Sequence, residues 1–219
     1  HRDLHSFPTR RSSDLGEDID YESNGLTGNK LLGPRYLIMR PEYWEIKEND
    51  CNCQNTLMIT TGGSDSLMIM SKLIDSIKKI SLHKILIIGP FFTKSNIANI
   101  EKNKDESISL VFNAPSLLPY IQESNFVLCA AGSTVYEVLR LRKIPIIFIY
   151  ADNQLLIEKK LRSLGIYSLG NVDSFDWNQI NREKNLFVKE TYEKLELDKI
   201  FSLFDGNGAI RVANILLGL

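Results

Sequence analysis

FVLCAAGSTVYEVLRLRKIPIIFIYADNQ, residues Phe126 to Gln154, decides how this chain folds. The apolar run Phe126 to Ala130 reads as a strand, Ser133 to Arg142 as a helix, and Pro145 to Tyr150 as a second strand. The second strand carries no polar residue at alternate positions, which a strand with one wet face would need. Parallel strands covered on both faces have no such requirement, so the stretch reads as a strand–helix–strand unit of a parallel sheet.

The same alternation extends in both directions. Upstream, strands are expected at Thr56 to Thr61, Lys84 to Ile88 and Ser109 to Asn113; downstream, a short one lies near Tyr167. Leu67, Met70, Leu73, Ile74 and Ile77 recur at three- and four-residue spacings, which predicts an amphipathic helix over Asp65 to Ile80. Further helices are expected at Asn153 to Leu164 and at Asn207 to Leu217, the latter an apolar C-terminal helix packing on the sheet after the turn-forming DGNGAIR segment, Asp205 to Arg211. The fold class is α/β, a Rossmann-like doubly wound parallel sheet.

Composition narrows the function. The 219 residues are 43% hydrophobic and 24% charged with net charge −1, so one ordinary core is expected and the basic footprint of a nucleic-acid or anionic-membrane binder is missing. No apolar run approaches the roughly 20 residues that span a bilayer. Cys51, Cys53 and Cys129 make neither a disulfide framework nor a zinc pattern, because C-x-C lacks the second pair a tetrahedral site needs. A cytoplasmic, reduced setting and a small-molecule ligand are expected, with no metal and no cofactor. Cys129, inside an apolar strand, reads as a small core residue.

The opening HRDLHSFPTRRSSDL, residues 1 to 15, has no secretory or amphipathic pattern, and His5 to Leu15 resembles the translation of a sequencing-adapter oligonucleotide. It is expected to be foreign to the fold, with the authentic chain running from about Gly16. Residues 16–44 then read as the end of a missing N-terminal domain and an extended connector, GPRYLIMRPEYW (Gly33 to Trp44), flanked by Pro34 and Pro41. The compact domain is expected over residues 45–219. His1 and His5 fall in the foreign segment, which leaves His83, just before a strand, as the one remaining histidine and without a role.

Three loops gather residues capable of chemistry. In TTGGSD, Thr60 to Asp65, a strand ends in two glycines and a helix begins, which exposes backbone N–H groups to an anion; a tight turn with a capped helix reads equally well. In AAGSTVYEVL, Ala130 to Leu139, small residues let a ligand approach the backbone, and Ser133 and Thr134 add hydroxyls where a helix dipole favours phosphate. Glu137 shares a face with Ser133 and can accept from a ribose diol, or, with Thr134 as N-cap, close a T-x-x-E capping box. After the strand ending at Tyr150, Asp152, Asn153 and Gln154 bring polar groups to the sheet's carboxyl edge; Asn153 also reads as an N-cap, whereas Gln154 has no such structural reading.

In order, GPRYLIMRPEY, TTGGSD, AAGSTVYEVL, PIIFIYADNQ and DGNGAIRVANIL resemble the C-terminal half of the UDP-2,4-diacetamido-2,4,6-trideoxy-β-L-altropyranose hydrolases of pseudaminic acid biosynthesis. That family is built like a GT-B glycosyltransferase. The resemblance runs from about Gly33 to the C-terminus, and its motifs are shared in part with family 28 glycosyltransferases.

The resemblance implies that Gly132, Ser133 and Thr134 hold a pyrophosphate and Glu137 a uridine ribose. It places Gly63 and Ser64 along the cleft, Phe112 and Asn113 near uracil, and Asn153 and Gln154 near the sugar. It further implies a metal-independent hydrolysis of a UDP-sugar, whose water-activating histidine belongs to an N-terminal domain without counterpart here, so that the fragment alone is expected to be inactive. A family 28-type donor-binding domain uses the same nucleotide site, and a non-catalytic nucleotide-sugar-binding module is a third expectation.

Overall fold

The computed structural model describes residues 31–46, 55–183, 185–192 and 196–218. The adapter-like segment 1–15, the turn-rich stretch 16–30 and the Cys51/Cys53 pair lie outside the described residues. The chain builds a six-stranded sheet from β1 (Thr56–Thr60), β2 (His83–Ile88), β3 (Ile108–Phe112), β4 (Phe126–Ala130), β5 (Ile144–Ile149) and β6 (Tyr167–Asn171). Their spatial order is β3-β2-β1-β4-β5-β6 and every pairing is parallel. This is the doubly wound order in which the chain turns back between β1 and β4, opening a crevice at the carboxyl ends of those strands.

Helices cover both faces: α1 (Ile69–Ile77), α2 (Lys94–Asn103), α3 (Leu118–Glu123), α4 (Ser133–Arg140), α5 (Leu155–Ser163), α6 (Gln179–Arg182), α7 (Leu197–Ser202) and α8 (Gly208–Leu217). Two apolar layers result. On one face Met58, Val127, Cys129 and Ile147 pack against Val135, Leu139 and Leu161 of α4 and α5. On the other, Leu57, Ile59, Leu128 and Phe148 meet Met70, Leu73 and Ile77 of α1. All six residues of β5 are buried, as expected of a strand covered on both sides.

α1 begins four residues later than its apolar period suggests. Met68 adopts a left-handed backbone, and the Asp65 carboxylate accepts from the amides of Ile69 (2.7 Å) and Met70 (3.0 Å). The predicted Asp65 to Ile80 helix therefore has a loop for its first turn. α2 and α3 lie where the sequence signal is faint: α2 buries only Asn96 and Ile100, and is started by the Thr93 hydroxyl accepting from Asn96 N at 3.2 Å.

The connector is part of the core rather than a lead-in to it. Its prolines start two 3-10 turns, Pro34–Tyr36 and Pro41–Tyr43, and Leu37, Met39 and Tyr43 are buried among the α4 and α5 side chains. A boundary at residue 45 thus falls after packing has begun. The C-terminal helix also departs from expectation. α8 buries only Gly208, while Leu216 and Leu217 are 79% and 71% exposed, so it does not pack on the sheet. It is anchored by its first turn: Arg211 donates to Arg35 O and Asp205 Oδ1, both at 2.9 Å, and this pairing holds the Asp205 carboxyl down to about 2.

Candidate functional site

The topology brings TTGGSD and AAGSTVYEVL together, since β1 and β4 are neighbours with Thr60 opposite Cys129. Gly62 to Ser64 and Gly132 to Thr134 therefore flank the same crevice at the strands' carboxyl ends, where ligands of open α/β sheets bind.

The two walls differ electrically. At α1, the buried Asp65 carboxylate already occupies the first helical amides and also accepts from Asn96 Nδ2 at 3.1 Å, so that positive helix end is neutralised from within. Gly62 and Gly63 form a tight loop instead. Gly62 N–H donates to Thr60 Oγ1 (3.0 Å), Thr61 Oγ1 donates to Ser64 O (3.0 Å), and Gly62 has the positive φ that favours glycine. The helix end behind this wall is thus already occupied by a carboxylate of the chain itself.

At α4 the opposite holds. The N-cap is Gly132, and no side chain caps the helix. Ser133 is exposed and Thr134 half-buried, and a Cβ added at Gly132 would meet nothing within 4 Å. Gly132 has an extended backbone, φ −128° and ψ −160°, so neither conformation nor packing calls for glycine there. What its missing side chain provides is an open approach to the first amides of α4, with the helix dipole behind them.

Glu137 does not close the capping box. Thr134 is the second residue of α4, not its cap, and no side chain caps the helix start. Its Oε2 accepts from Tyr43 Oη at 3.2 Å, and among the described residues Oε1 has no partner. The carboxyl is half-buried, and this desolvation raises its pKa above the ordinary carboxylate range, opposed by the Tyr43 hydrogen bond. Burial, with Glu137 beside it, also pushes the Tyr43 phenol upward, keeping it a proton donor.

A carboxyl whose folded pKa is raised favours the folded state most at low pH, and that contribution is lost as pH rises through the folded pKa. Glu137→Gln, which keeps an acceptor for Tyr43 without the charge, is therefore expected to be more stable than the native chain at neutral pH. The difference should close below about pH 4.3, the unfolded carboxyl's pKa. Urea unfolding of both proteins at pH 4 and pH 7 checks this; equal stabilities at pH 7 would contradict it.

The remaining sequence-predicted residues lie along the same edge with different exposures. Phe112, at the end of β3, is exposed, and Asn113 follows in the left-handed region with its N–H on Ile88 O at 2.9 Å. Asn153 is exposed inside the 3-10 turn Asp152–Gln154 and caps nothing. Gln154, which had no structural reading in the sequence, acquires one: it is buried, and its Oε1 accepts from Tyr150 N at 3.0 Å, tying off the end of β5. Sequence reasoning missed Tyr43 and Phe91. Phe91 is 76% exposed beside Gly63, whose added Cβ would sit 3.5 Å from its ring.

No cluster of metal-ligating side chains forms among the described residues, and no described helix is long and apolar enough to cross a membrane. Two cavities, of about 620 and 500 Å³, open beside Gly165 and Tyr167 and beside Ser81 and Leu82. Both lie at the amino ends of the strands, away from the crevice. The glycine-flanked edge is an open half-cleft.

No family model matches the chain. It is 25% identical over 137 residues to an uncharacterized protein of Methanocaldococcus jannaschii, covering 57% of this chain and 28% of that protein. Among solved structures, it resembles the glycosyltransferase of kitacinnamycin, with TM-score 0.65, 11% identity, and coverage of 94% of this chain and 53% of that one. It also resembles Acinetobacter baumannii MurG (TM-score 0.55, 12% identity, 90% and 58% covered). A third likeness is to the Neisseria meningitidis UDP-GlcNAc 2-epimerase bound to UDP-GlcNAc (TM-score 0.53, 15% identity, 81% and 46% covered). The chain spans about half the length of these structures. Its fold is a Rossmann-like domain of the GT-B kind.

Proposed function

We propose that this chain is the nucleotide-sugar-binding, C-terminal half of a GT-B enzyme, and that the parent enzyme is a UDP-sugar hydrolase of pseudaminic acid biosynthesis. The observation that carries the ligand is the start of α4: an uncapped helix end at the topological switch point, open in front of Gly132, with a carboxylate one turn further on. In this reading the Ser133 and Thr134 amides and hydroxyls hold the pyrophosphate, and Glu137 accepts from the ribose hydroxyls. Gly63 and Ser64 form the facing wall, Phe112 and Asn113 lie toward uracil, and Asn153 and Gln154 toward the sugar.

The chemistry asked of these residues is positioning. Fixed helix-terminal N–H groups aimed at the diphosphate stabilise the charge that grows there as UDP leaves, without reorganising at the moment of reaction. The reading assigns the base that activates water to a separate, preceding domain. His83 supports that assignment: it opens β2 and so sits at the amino edge of the sheet, opposite the crevice. The UDP-GlcNAc in the neisserial epimerase supports the ligand class, and the order of the five motifs supports hydrolysis. Likeness to the glycosyltransferase of kitacinnamycin favours a second reading, transfer of the sugar from the same nucleotide site to an acceptor. Product analysis with the preceding domain restored separates water from an acceptor as the sugar's destination.

Calorimetric titration of the 219-residue chain with UDP, ADP and UDP-N-acetylglucosamine, with and without magnesium, tests the proposal. UDP-selective binding indifferent to magnesium is expected; no binding at millimolar ligand would refute the site. Glu137→Ala is expected to weaken UDP binding by about 1 to 3 kcal/mol, the usual cost of leaving a desolvated hydroxyl pair unmet.

A further inference from the structure

Tyr43 sits at the end of the connector, fully buried, and α4 holds it at both ends. Its hydroxyl donates to Glu137 Oε2 at 3.2 Å. Its carbonyl accepts from Arg140 Nε at 2.8 Å, and the next carbonyl, of Trp44, accepts from Arg140 Nη2 at 2.9 Å. Glu137 and Arg140 are three residues apart on one helix face, so a single turn of α4 grips both the phenol and the backbone of one residue. Gly206 makes room for this clamp: a Cβ there would lie 2.6 Å from Tyr43 O and 2.8 Å from Arg140 Nε.

The consequence falls on Glu137. A glutamate side chain has three rotatable bonds, and without a partner its carboxylate would sample several directions, each diluting the one that meets a diol. Tyr43 removes that freedom by binding one oxygen from the buried side. The second oxygen is left without a hydrogen-bond partner among the described residues.

Building on the ribose reading of Glu137, we infer that Tyr43 is a positioning residue for nucleotide recognition: it presents the Glu137 carboxylate to the ribose hydroxyls, and so makes the connector a working part of the nucleotide site. Tyr43 itself touches no ligand. The arrangement selects ribonucleotides, because the preorganised carboxylate gains only when vicinal hydroxyls are present to donate to it.

The test compares UDP with 2′,3′-dideoxy-UDP on the 219-residue chain, as native protein, Tyr43→Phe, Glu137→Ala and the double variant, by calorimetric titration. Phenylalanine keeps the buried ring, and thermal unfolding reports how far the fold is preserved. Tyr43→Phe is expected to weaken UDP binding about tenfold, the usual range for one hydrogen bond to a charged group, while leaving 2′,3′-dideoxy-UDP unchanged. The double variant should bind UDP no more weakly than Glu137→Ala alone. Equal losses for both nucleotides would make Tyr43 a structural residue only and overturn the inference. Unchanged or tighter UDP binding would overturn it as well, the latter because the phenol would then compete with the ribose. If Glu137→Ala bound both nucleotides like the native chain, the ribose reading itself would fall, and this inference with it.

Discussion

Gly208→Ala is expected to destabilise the chain by more than about 3 kcal/mol, a large part of a small domain's stability. Gly208 opens α8 and is packed against the connector so closely that a Cβ would lie 2.0 Å from Leu37 O and 2.6 Å from Leu37 C. Both are main-chain atoms, so no side chain can swing away; either α8 or the connector must move. Moving the connector withdraws Leu37, Met39 and Tyr43 from the core, and moving α8 breaks the contacts of Arg211 with Arg35 and Asp205. Urea or thermal unfolding measures the loss, and a change below about 1 kcal/mol would show that the two segments part easily.

Gly132→Val is expected to do the reverse: to leave stability nearly unchanged and to reduce UDP binding at least tenfold, about 1.4 kcal/mol. The Gly132 backbone is extended, with no positive φ to exclude a side chain, and a Cβ there meets nothing within 4 Å among the described residues. The added isopropyl group would occupy the space in front of the first α4 amides, through which a diphosphate must approach. Parallel unfolding and titration of this one variant decide the matter. Loss of stability without loss of binding would mean that the opening at Gly132 serves the fold, and the pyrophosphate assignment to Ser133 and Thr134 would fail with it.

The contrast between these two glycines marks how far a linear reading goes. DGNG and AAGS both read as turns before helices, yet one glycine is enclosed by a segment some 170 residues earlier and the other faces empty space. Strands were legible because burial on both faces writes itself as uninterrupted apolar runs, and the β4–α4–β5 unit falls within a residue or two of its expected limits. α2 was not legible, since a helix burying two residues leaves no stripe to detect. α8 misled in the other direction: its apolar residues promised a buried helix, but only its first turn meets the protein.

The nucleotide edge was legible as loops and illegible as chemistry. T-x-x-E spacing could not choose between a capping box and a free carboxylate, because the deciding partner, Tyr43, lies 94 residues away in sequence. Asp65 likewise looked like the ordinary start of a helix, whereas its carboxylate neutralises one of the two helix ends flanking the crevice and leaves α4 as the electropositive one.

The reach of Tyr43 also fixes an order of events while the chain is made. At the usual 5 to 20 residues per second of translation, the connector leaves the ribosome about 5 to 20 s before Glu137 and Arg140 exist to receive it. Through that interval Leu37, Met39 and Tyr43 lack the α4 and α5 part of the core they share, although Met58, Ile85 and Ile87 of the same core already exist. The first segment of the described fold to be synthesised thus completes its contacts only once α4 exists, and with them the carboxylate's surroundings.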